Sequence, residues 1–220
     1  MTAGGYDRCV FINCPFDSRY QKLFRAIVFT VLQCGYFPRC AREVEDSGEE
    51  RIRKIKRIIR DCRYGIHDIS RVQLDAGSGL PRFNMPLELG LFLGAQEYGT
   101  GRQKTKRSVV LDALPFRYQV FCSDIAGQDI RAHGNQVSRL IAAVRGMLTT
   151  AADEGARIPG PARVLERYEQ FKVELPDLCD RLHLKPNELE FVELRSLAQS
   201  WLNRTSAPWP PAADPPGPGK

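Results

Sequence analysis

The chain has 220 residues, of which 43% are hydrophobic, and a formal net charge of +6. A chain of this size can bury the core of one domain and still carry extensions. No run of about 18 apolar residues occurs, so we expect no membrane-spanning helix. The first residues lack the basic and apolar regions of a secretory signal. The seven cysteines show no zinc-ligand spacing, so we expect no metal site and a reducing, cytoplasmic compartment.

The most basic stretch is residues 51–60, with the sequence RIRKIKRIIR. Its isoleucines recur at helical spacing, which places them on one face and the charges on the other. This pattern favours a helix with a solvated basic face. A nucleic-acid groove would be expected to interleave aromatic residues or to carry a known motif, and neither occurs here. We therefore do not expect a nucleic-acid partner.

Strand and helix patterns alternate along the first 148 residues. Strands are predicted over residues 9–16, 36–42, 64–70, 107–113 and 129–133. Helices are predicted to begin at Ser18, Ser47, Asn84 and about Gln136. Because strands that alternate with helices form parallel sheets covered on both faces, we expect an α/β fold. Pro38 cannot donate a ladder hydrogen bond, so the second strand is predicted to lie at an edge.

The C-terminal part of the chain differs in composition from the α/β region. Residues 149–162 are predicted to form a linker, and residues 163–202 a helical appendage. The appendage is too short for an independent domain, so we expect it to pack on the sheet domain, to self-associate or to bind a protein partner. The proline-rich residues 203–220 are predicted to be disordered.

The stretch RFNMPLELGLFLGAQ, residues 82–96, places Glu88 among leucines and a phenylalanine. The pattern predicts a helix that is buried nearly all round, with Asn84 at its start and Pro86 in its first turn. Burying an unpaired carboxylate costs several kcal/mol. Glu88 is therefore either a first-turn acid that binds free backbone N–H groups or a carboxylate that faces a pocket. We favour the pocket.

Polar side chains gather where the predicted strands end, which is where parallel sheets bind ligands. The third strand ends in Asp68, Ser70 and Arg71, and His67 is predicted to point to the face opposite Asp68 and to be structural. The other strand ends carry Asn13, Asp17, Arg39, Arg42 and Asp112. An arginine at such a position can hold a phosphate in bidentate fashion.

The strand VFINCPFD, the strand GIHDIS and the helix FNMPLELGLFLGA follow one another in an order that resembles a known superfamily. It joins TIR domains, TIR-like bacterial proteins and nucleoside 2-deoxyribosyltransferases, and the resemblance covers about residues 8–148. It implies a flavodoxin-like three-layer sandwich with a parallel sheet of about five strands. In the TIR-like bacterial branch the helix begins with Asn-x-x-x-Glu-Leu-Gly, which matches Asn84, Glu88, Leu89 and Gly90.

The resemblance also implies roles for individual residues. Glu88 corresponds to the catalytic glutamate, and Asp68 to the aspartate that ends the preceding strand. Asp68 is therefore predicted to be the second catalytic residue, which orients Glu88 or a ribose hydroxyl. The loop that contacts the nucleotide corresponds to Asn13, Cys14, Pro15, Phe16 and Asp17. Together with these residues, the predicted substrate-binding set contains Arg39, Arg42, Ser70, Arg71, Asn84 and Pro86.

Three functions are compatible with this sequence. The first is an N-glycosidase-type enzyme that cleaves the ribose–base bond of NAD or a related nucleotide, a role that the resemblance links to bacterial antiviral defence. The second is a non-catalytic nucleotide-sensing module, and the third is a TIR-like protein-interaction scaffold. In the first two, the nucleotide is the substrate or ligand, and no separate cofactor is expected.

Overall fold

A computed structural model describes residues 5–74, 77, 79–152 and 157–205. The strands are β1 Cys9–Asn13, β2 Phe37–Arg39, β3 Tyr64–Asp68, β4 Arg107–Asp112 and β5 Arg131–Ala132. The helices are α1 Gln21–Gln33, α2 Arg51–Arg60, α3 Asn84–Tyr98, α4 Tyr118–Phe121, α5 Val137–Thr150, α6 Pro161–Asp180 and α7 Phe191–Thr205. Within these residues, no helix combines the length and apolar character needed to cross a membrane.

The five strands form one parallel sheet in the order β2-β1-β3-β4-β5. This is the flavodoxin-like order, so the predicted fold class is confirmed. The strand with Pro38 lies at an edge, as predicted. The strands β2 and β5 are shorter than predicted, and α1 and α2 begin at Gln21 and Arg51 rather than at Ser18 and Ser47.

The two faces of the sheet are covered by different helices. Helices α1 and α5 pack together on one face, and α6 and α7 add a further layer to the same hydrophobic cluster. On the opposite face, α2 and α3 pack against each other and against β1. Because helices cover both faces of this parallel sheet, every residue of β1 and β3 is buried.

The C-terminal helices are part of the main core. Phe29 of α1 stacks on Phe171 of α6 with ring centroids 5.3 Å apart. The ring of Trp201 in α7 lies 5.8 Å from the Phe29 ring. Helix α5 continues to Thr150 and α6 begins at Pro161, so the predicted linker is shorter than expected. Residues 153–156 of that linker and 206–220 of the predicted tail lie outside the described residues.

Candidate functional site

A cavity of about 310 Å³ opens at the carboxyl ends of β1 and β3. The strand order reverses between these two strands, and crevices at such switch points bind ligands in open α/β sheets. Most of the predicted site residues line this cavity: Asn13, Cys14, Pro15, Phe16, Asp17, Arg42, Arg71, Asn84 and Glu88. The structure adds Arg51, Arg82 and Met85 to them. The loop after β1 and the start of α3 therefore face each other across one space.

The remaining predicted residues lie outside the described lining of this cavity. Arg39 turns away from it and forms a bidentate ion pair with Glu43. The backbone N–H of Ser70 donates to Asp68, and the Ser70 carbonyl accepts a hydrogen bond from Arg117. Pro86 is half-buried in the first turn of α3. Arg39 is thus occupied by a protein carboxylate, whereas Arg42 remains at the cavity.

Helix α3 begins at Asn84, so Glu88 is its fifth residue and lies beyond the first turn. The alternative interpretation of Glu88 as a first-turn acid is therefore wrong, and Asn84 is the first residue of the helix. Helix α3 is also not buried all round, because Leu87 is 56% exposed. The helix is therefore less buried than its apolar sequence predicts, because the face that carries Leu87 is exposed.

Glu88 itself is buried, with 6% of its surface exposed. Its carboxylate accepts no hydrogen bond from the described residues, and the nearest cation is Arg51, whose Nη2 lies 3.9 Å from Oε1. Burial raises the pKa of Glu88 to about 7, an increase that Arg51 only partly opposes. A carboxyl group that titrates near neutral pH beside a cavity is a common property of catalytic acids and bases.

A second, smaller cavity adjoins the first. Its volume is about 190 Å³, and its apolar lining consists of Ile52, Ile55 and Leu87. It shares Arg51, Asn84 and Glu88 with the larger cavity. The Glu88 carboxylate thus lies where an arginine-rich space meets an apolar one.

The larger cavity carries an excess of positive charge. Arginines 42, 51, 71 and 82 line it together with the acids Asp17 and Glu88. Arg71 donates from Nε to Asp17 over 3.0 Å, and the guanidinium of Arg42 lies 5.2 Å from the centre of the Phe16 ring. This ion pair lowers the pKa of Asp17, against the opposing effect of its partial burial. More cations than anions in a concave site favour a phosphate-bearing ligand.

Asp68 was predicted to act beside Glu88, but it does not line the described cavity. Its side chain points to the α1/α5 side of the sheet, opposite the side that α3 covers, and is completely buried. Its carboxylate accepts hydrogen bonds from the Tyr20 hydroxyl and, over 2.9 Å, from the Ser70 backbone N–H. His133 Nε2 lies 3.0 Å from its Oδ2. Asn135 donates its backbone N–H to His133 Nδ1 over 2.9 Å, so the proton of a neutral His133 ring is on Nε2 and faces Asp68. Asp68 therefore joins the carboxyl end of β3 to the start of α1 and the segment after β5.

Asn13 connects three elements at the cavity. Its Nδ2 lies 2.8 Å from the Met85 carbonyl oxygen of α3 and 3.2 Å from Nδ1 of His67 in β3. The His67 ring is enclosed by Phe11 and Phe92, and burial lowers its pKa to about 3. His67 points to the α2/α3 side while Asp68 points to the α1/α5 side, which confirms the predicted alternation.

A larger cavity lies elsewhere in the described part of the chain. It measures about 1000 Å³ and lies between β4, β5 and α5. Two of its charged residues, Asp129 and Arg131, pair with each other over 2.7 Å. We favour the cavity at Glu88 because polar groups converge there around a carboxyl group with a perturbed pKa. In the described ranges, no group of three or more His, Cys, Asp or Glu side chains is arranged to hold a metal ion.

Sequence reasoning missed five residues of this region. Arg51, Arg82 and Met85 line the cavity. The sequence predicts a solvated helix face for Arg51 and singles out neither of the other two. Tyr20 and His133 were not singled out, although both contact Asp68. His133 follows the last strand, so the strand-end rule could have identified it.

Comparison with known proteins identifies no family for this chain. No family model matches it, and no curated protein matches it. The interpretation of the site therefore depends on its own geometry and chemistry: a buried carboxyl group, two adjoining cavities of different polarity, and four arginines.

Proposed function

We propose that this protein is an N-glycosidase-type enzyme that cleaves the ribose–base bond of NAD or a related nucleotide. The observation that carries the proposal is the position of Glu88, a buried carboxylate without a hydrogen-bond donor in the described residues, where an arginine-lined cavity meets an apolar one. The phosphates would bind in the arginine-lined cavity, and the uncharged base would lie in the apolar one.

The chemistry that suits this position is cleavage of the bond between C1′ and a base nitrogen. The base leaves with the bonding electrons, and positive charge develops on the ribose as in an oxocarbenium ion. The ionised Glu88 carboxylate stabilises that charge or attacks C1′, and water supplies the hydroxyl group that completes hydrolysis. Because the pKa of Glu88 is about 7, a large fraction of the ionised form is present at neutral pH.

Other residues receive supporting roles in this proposal. Arg42 would bind phosphate oxygens, and the Asn84 amide would bind a hydroxyl group. Asp68 does not line the described cavity, so we assign it the positioning of Tyr20, which precedes α1 and follows the loop of Asn13 to Asp17. In this proposal residues Asn13 to Asp17 still contact the nucleotide, and Asp68 supports that loop through Tyr20 without contacting the nucleotide itself.

The cellular part of the proposal depends on the sequence resemblance. We propose a cytoplasmic effector of bacterial antiviral defence, with self-association or a protein partner at the C-terminal helices. Because Leu194 and Trp201 are buried in the core, a partner would have to contact the outer faces of α6 and α7. Val173 of α6 is exposed on such a face.

The direct test is the release of free base. Wild-type protein and Glu88→Gln are incubated with NAD and, separately, with 2′-deoxynucleosides, and free bases are quantified by liquid chromatography. We expect wild type to release base from NAD and Glu88→Gln to be slower by at least about 100-fold, the loss typical of removing one transition-state charge interaction. The matched control is Glu97→Gln, which changes an exposed glutamate of the same helix and should retain activity. A wild type without base release, or an active Glu88→Gln, would contradict the proposal.

A nucleotide-sensing module without catalysis is the second candidate. The arginine lining favours it, because phosphate binding at Arg42 does not require Glu88 to react. Calorimetry with NAD, followed by chromatography of the same sample, separates the two functions. Tight binding of NAD that is recovered unaltered supports the sensor and contradicts the enzyme.

A further inference from the structure

The side-chain amide of Asn13 has a fixed orientation. Met85 contributes a backbone carbonyl oxygen 2.8 Å away, and a carbonyl can only accept a hydrogen bond. The nitrogen of the Asn13 amide must therefore face Met85. The second hydrogen of the same nitrogen points toward His67 Nδ1, 3.2 Å away. Both donor positions of the amide are thus occupied by the protein.

His67 is suited to accept this hydrogen bond. The ring is fully buried, and burial lowers its pKa, so it is neutral at physiological pH. A neutral ring with an unprotonated Nδ1 carries its proton on Nε2. The ring is also held in place: Phe92 lies 4.9 Å away by centroids, and a Cβ atom at Gly65 would come within 2.5 Å of Nε2. Gly65 therefore provides the space that the His67 ring needs.

The remaining polar atom of Asn13 is its Oδ1. It forms no hydrogen bond with the described residues, and Asn13 lines the arginine-rich cavity. An amide oxygen only accepts hydrogen bonds, so it does not attract a phosphate oxygen. Asn13 and Glu88 line the same cavity, so the Asn13 amide and the carboxylate border one space.

We propose that Asn13 Oδ1 accepts a hydrogen bond from a ribose hydroxyl of the bound nucleotide, with His67 as the positioning residue that holds the amide in this orientation. The inference rests on the proposed function, since it assumes that a nucleotide occupies this cavity. It makes Asn13 a specificity-determining residue that distinguishes a sugar with hydroxyl groups from one without them. A site built to bind a hydroxyl discriminates against analogues that lack it.

The protonation state of His67 is tested on the wild-type protein without ligand. Nitrogen-15 NMR of labelled histidine distinguishes a protonated ring nitrogen from an unprotonated one. We expect the His67 ring to show an unprotonated Nδ1 and a protonated Nε2 at neutral pH, and to stay neutral on mild acidification. A proton on Nδ1 would remove the acceptor for Asn13 and overturn the proposal.

The role of Asn13 is tested by binding in a Glu88→Gln background, where cleavage is not expected. Calorimetry compares AMP with 2′,3′-dideoxy-AMP, which lacks both ribose hydroxyls. We expect AMP to bind about tenfold more tightly, the ratio that one hydrogen bond between neutral groups supplies. Asn13→Ala should bring this ratio close to one, and His67→Phe should reduce it. Asn203→Ala, at an exposed position of α7, is the matched control and should preserve the ratio.

The outcomes separate this inference from the proposed function. Equal binding of the two nucleotides, a ratio that survives Asn13→Ala, or no measurable binding of AMP overturns the assignment of Asn13. If AMP is preferred through Asn13 but the wild-type protein releases no base, the enzymatic proposal fails and the assignment of Asn13 stands. If His67→Phe does not fold, the NMR measurement on wild type still decides the role of His67.

Discussion

Two buried carboxylates lie on opposite sides of the sheet near its carboxyl edge, and they differ in their surroundings. Asp68 is 0% exposed and faces the α1/α5 side, whereas Glu88 is 6% exposed and lies in α3 on the other side. Asp68 has the Tyr20 hydroxyl, the Ser70 N–H and the His133 ring within reach. Among the residues that the structure describes, Glu88 has one charged partner, Arg51, whose guanidinium lies 3.9 Å away.

This difference has an energetic consequence. Hydrogen bonds to a buried carboxylate offset the loss of its hydration, so Asp68 is a stabilising part of the fold. Glu88 lacks such bonds within the described residues, and burial raises its pKa to about 7. Its ionised form therefore destabilises the folded protein. A residue that lowers stability at a cavity is typical of functional sites, where activity and stability compete.

The comparison predicts its largest effect for Asp68→Ala. The substitution leaves the Tyr20 hydroxyl, the Ser70 N–H and the His133 ring without their shared partner inside the protein. Because each unsatisfied buried group carries a desolvation penalty, we expect the free energy of unfolding to fall by about 3–5 kcal/mol. Urea denaturation at neutral pH measures this change.

The control for this prediction is Asp177→Ala, at an exposed position of α6. It should change the free energy of unfolding by no more than about 0.5 kcal/mol. If Asp68→Ala were as mild as the control, the hydrogen bonds to Asp68 would not be stabilising, and the contrast with Glu88 would disappear.

The comparison predicts the opposite sign for Glu88→Gln. In the folded protein the pKa of Glu88 is raised from 4.5 to about 7, so its stabilising contribution is fully present below pH 4.5 and is lost as the pH rises through 7. Glutamine does not titrate. We therefore compare the free energies of unfolding of the variant and of wild type at each pH. Between about pH 4.5 and a pH above 7, we expect this difference to change in favour of the variant by on the order of 1–3 kcal/mol.

Urea denaturation of both proteins between pH 4.5 and 8 measures this gain. Glu97→Gln removes an exposed carboxylate from the same helix and should show no comparable change with pH. A Glu88→Gln variant that gains no stability relative to wild type as the pH rises would show that the carboxylate finds a donor in solution, contrary to the structure.

Much of the fold follows from local patterns in the sequence. Pro38 predicted the edge position of β2 because a missing N–H is a property of one residue. The alternation of His67 and Asp68 follows from strand geometry alone. Parallel order then brings the strand ends together, which is why Asn13, Arg42 and Glu88 were assigned to one site.

The partners of the two carboxylates could not be predicted in the same way. Tyr20 is 48 residues from Asp68 in the chain, and its contact depends on how α1 packs over the sheet. Sequence patterns place helix ends only to within a few residues. The sequence therefore could not establish that α3 begins at Asn84, which puts Glu88 beyond the first turn. The sequence thus placed Glu88 at a cavity correctly, but it did not predict which groups surround Asp68 and Glu88.

The smallest predicted effect concerns Arg51, a cation that lowers the pKa of Glu88 against the larger effect of burial. Its side chain is 57% exposed, so solvent weakens the interaction over 3.9 Å. In Arg51→Gln we expect the pKa of Glu88 to rise by about half a pH unit, the size typical of an exposed ion pair. Carbon-13 NMR of the Glu88 carboxyl group measures it in the ligand-free protein, without reference to activity.

The control is Arg53→Gln, which removes a more exposed arginine from the same helix, one that pairs with Glu50. It should leave the titration of Glu88 unchanged. High salt should lower the effect of Arg51→Gln, because screening weakens exposed pairs. An upward shift of the Glu88 pKa by several pH units would mean that Arg51 strongly stabilises the ionised carboxylate. Glu88 and Asp68 would then both have strong partners, and the contrast between them would disappear. A small shift means that burial, rather than Arg51, determines the pKa of Glu88 near 7.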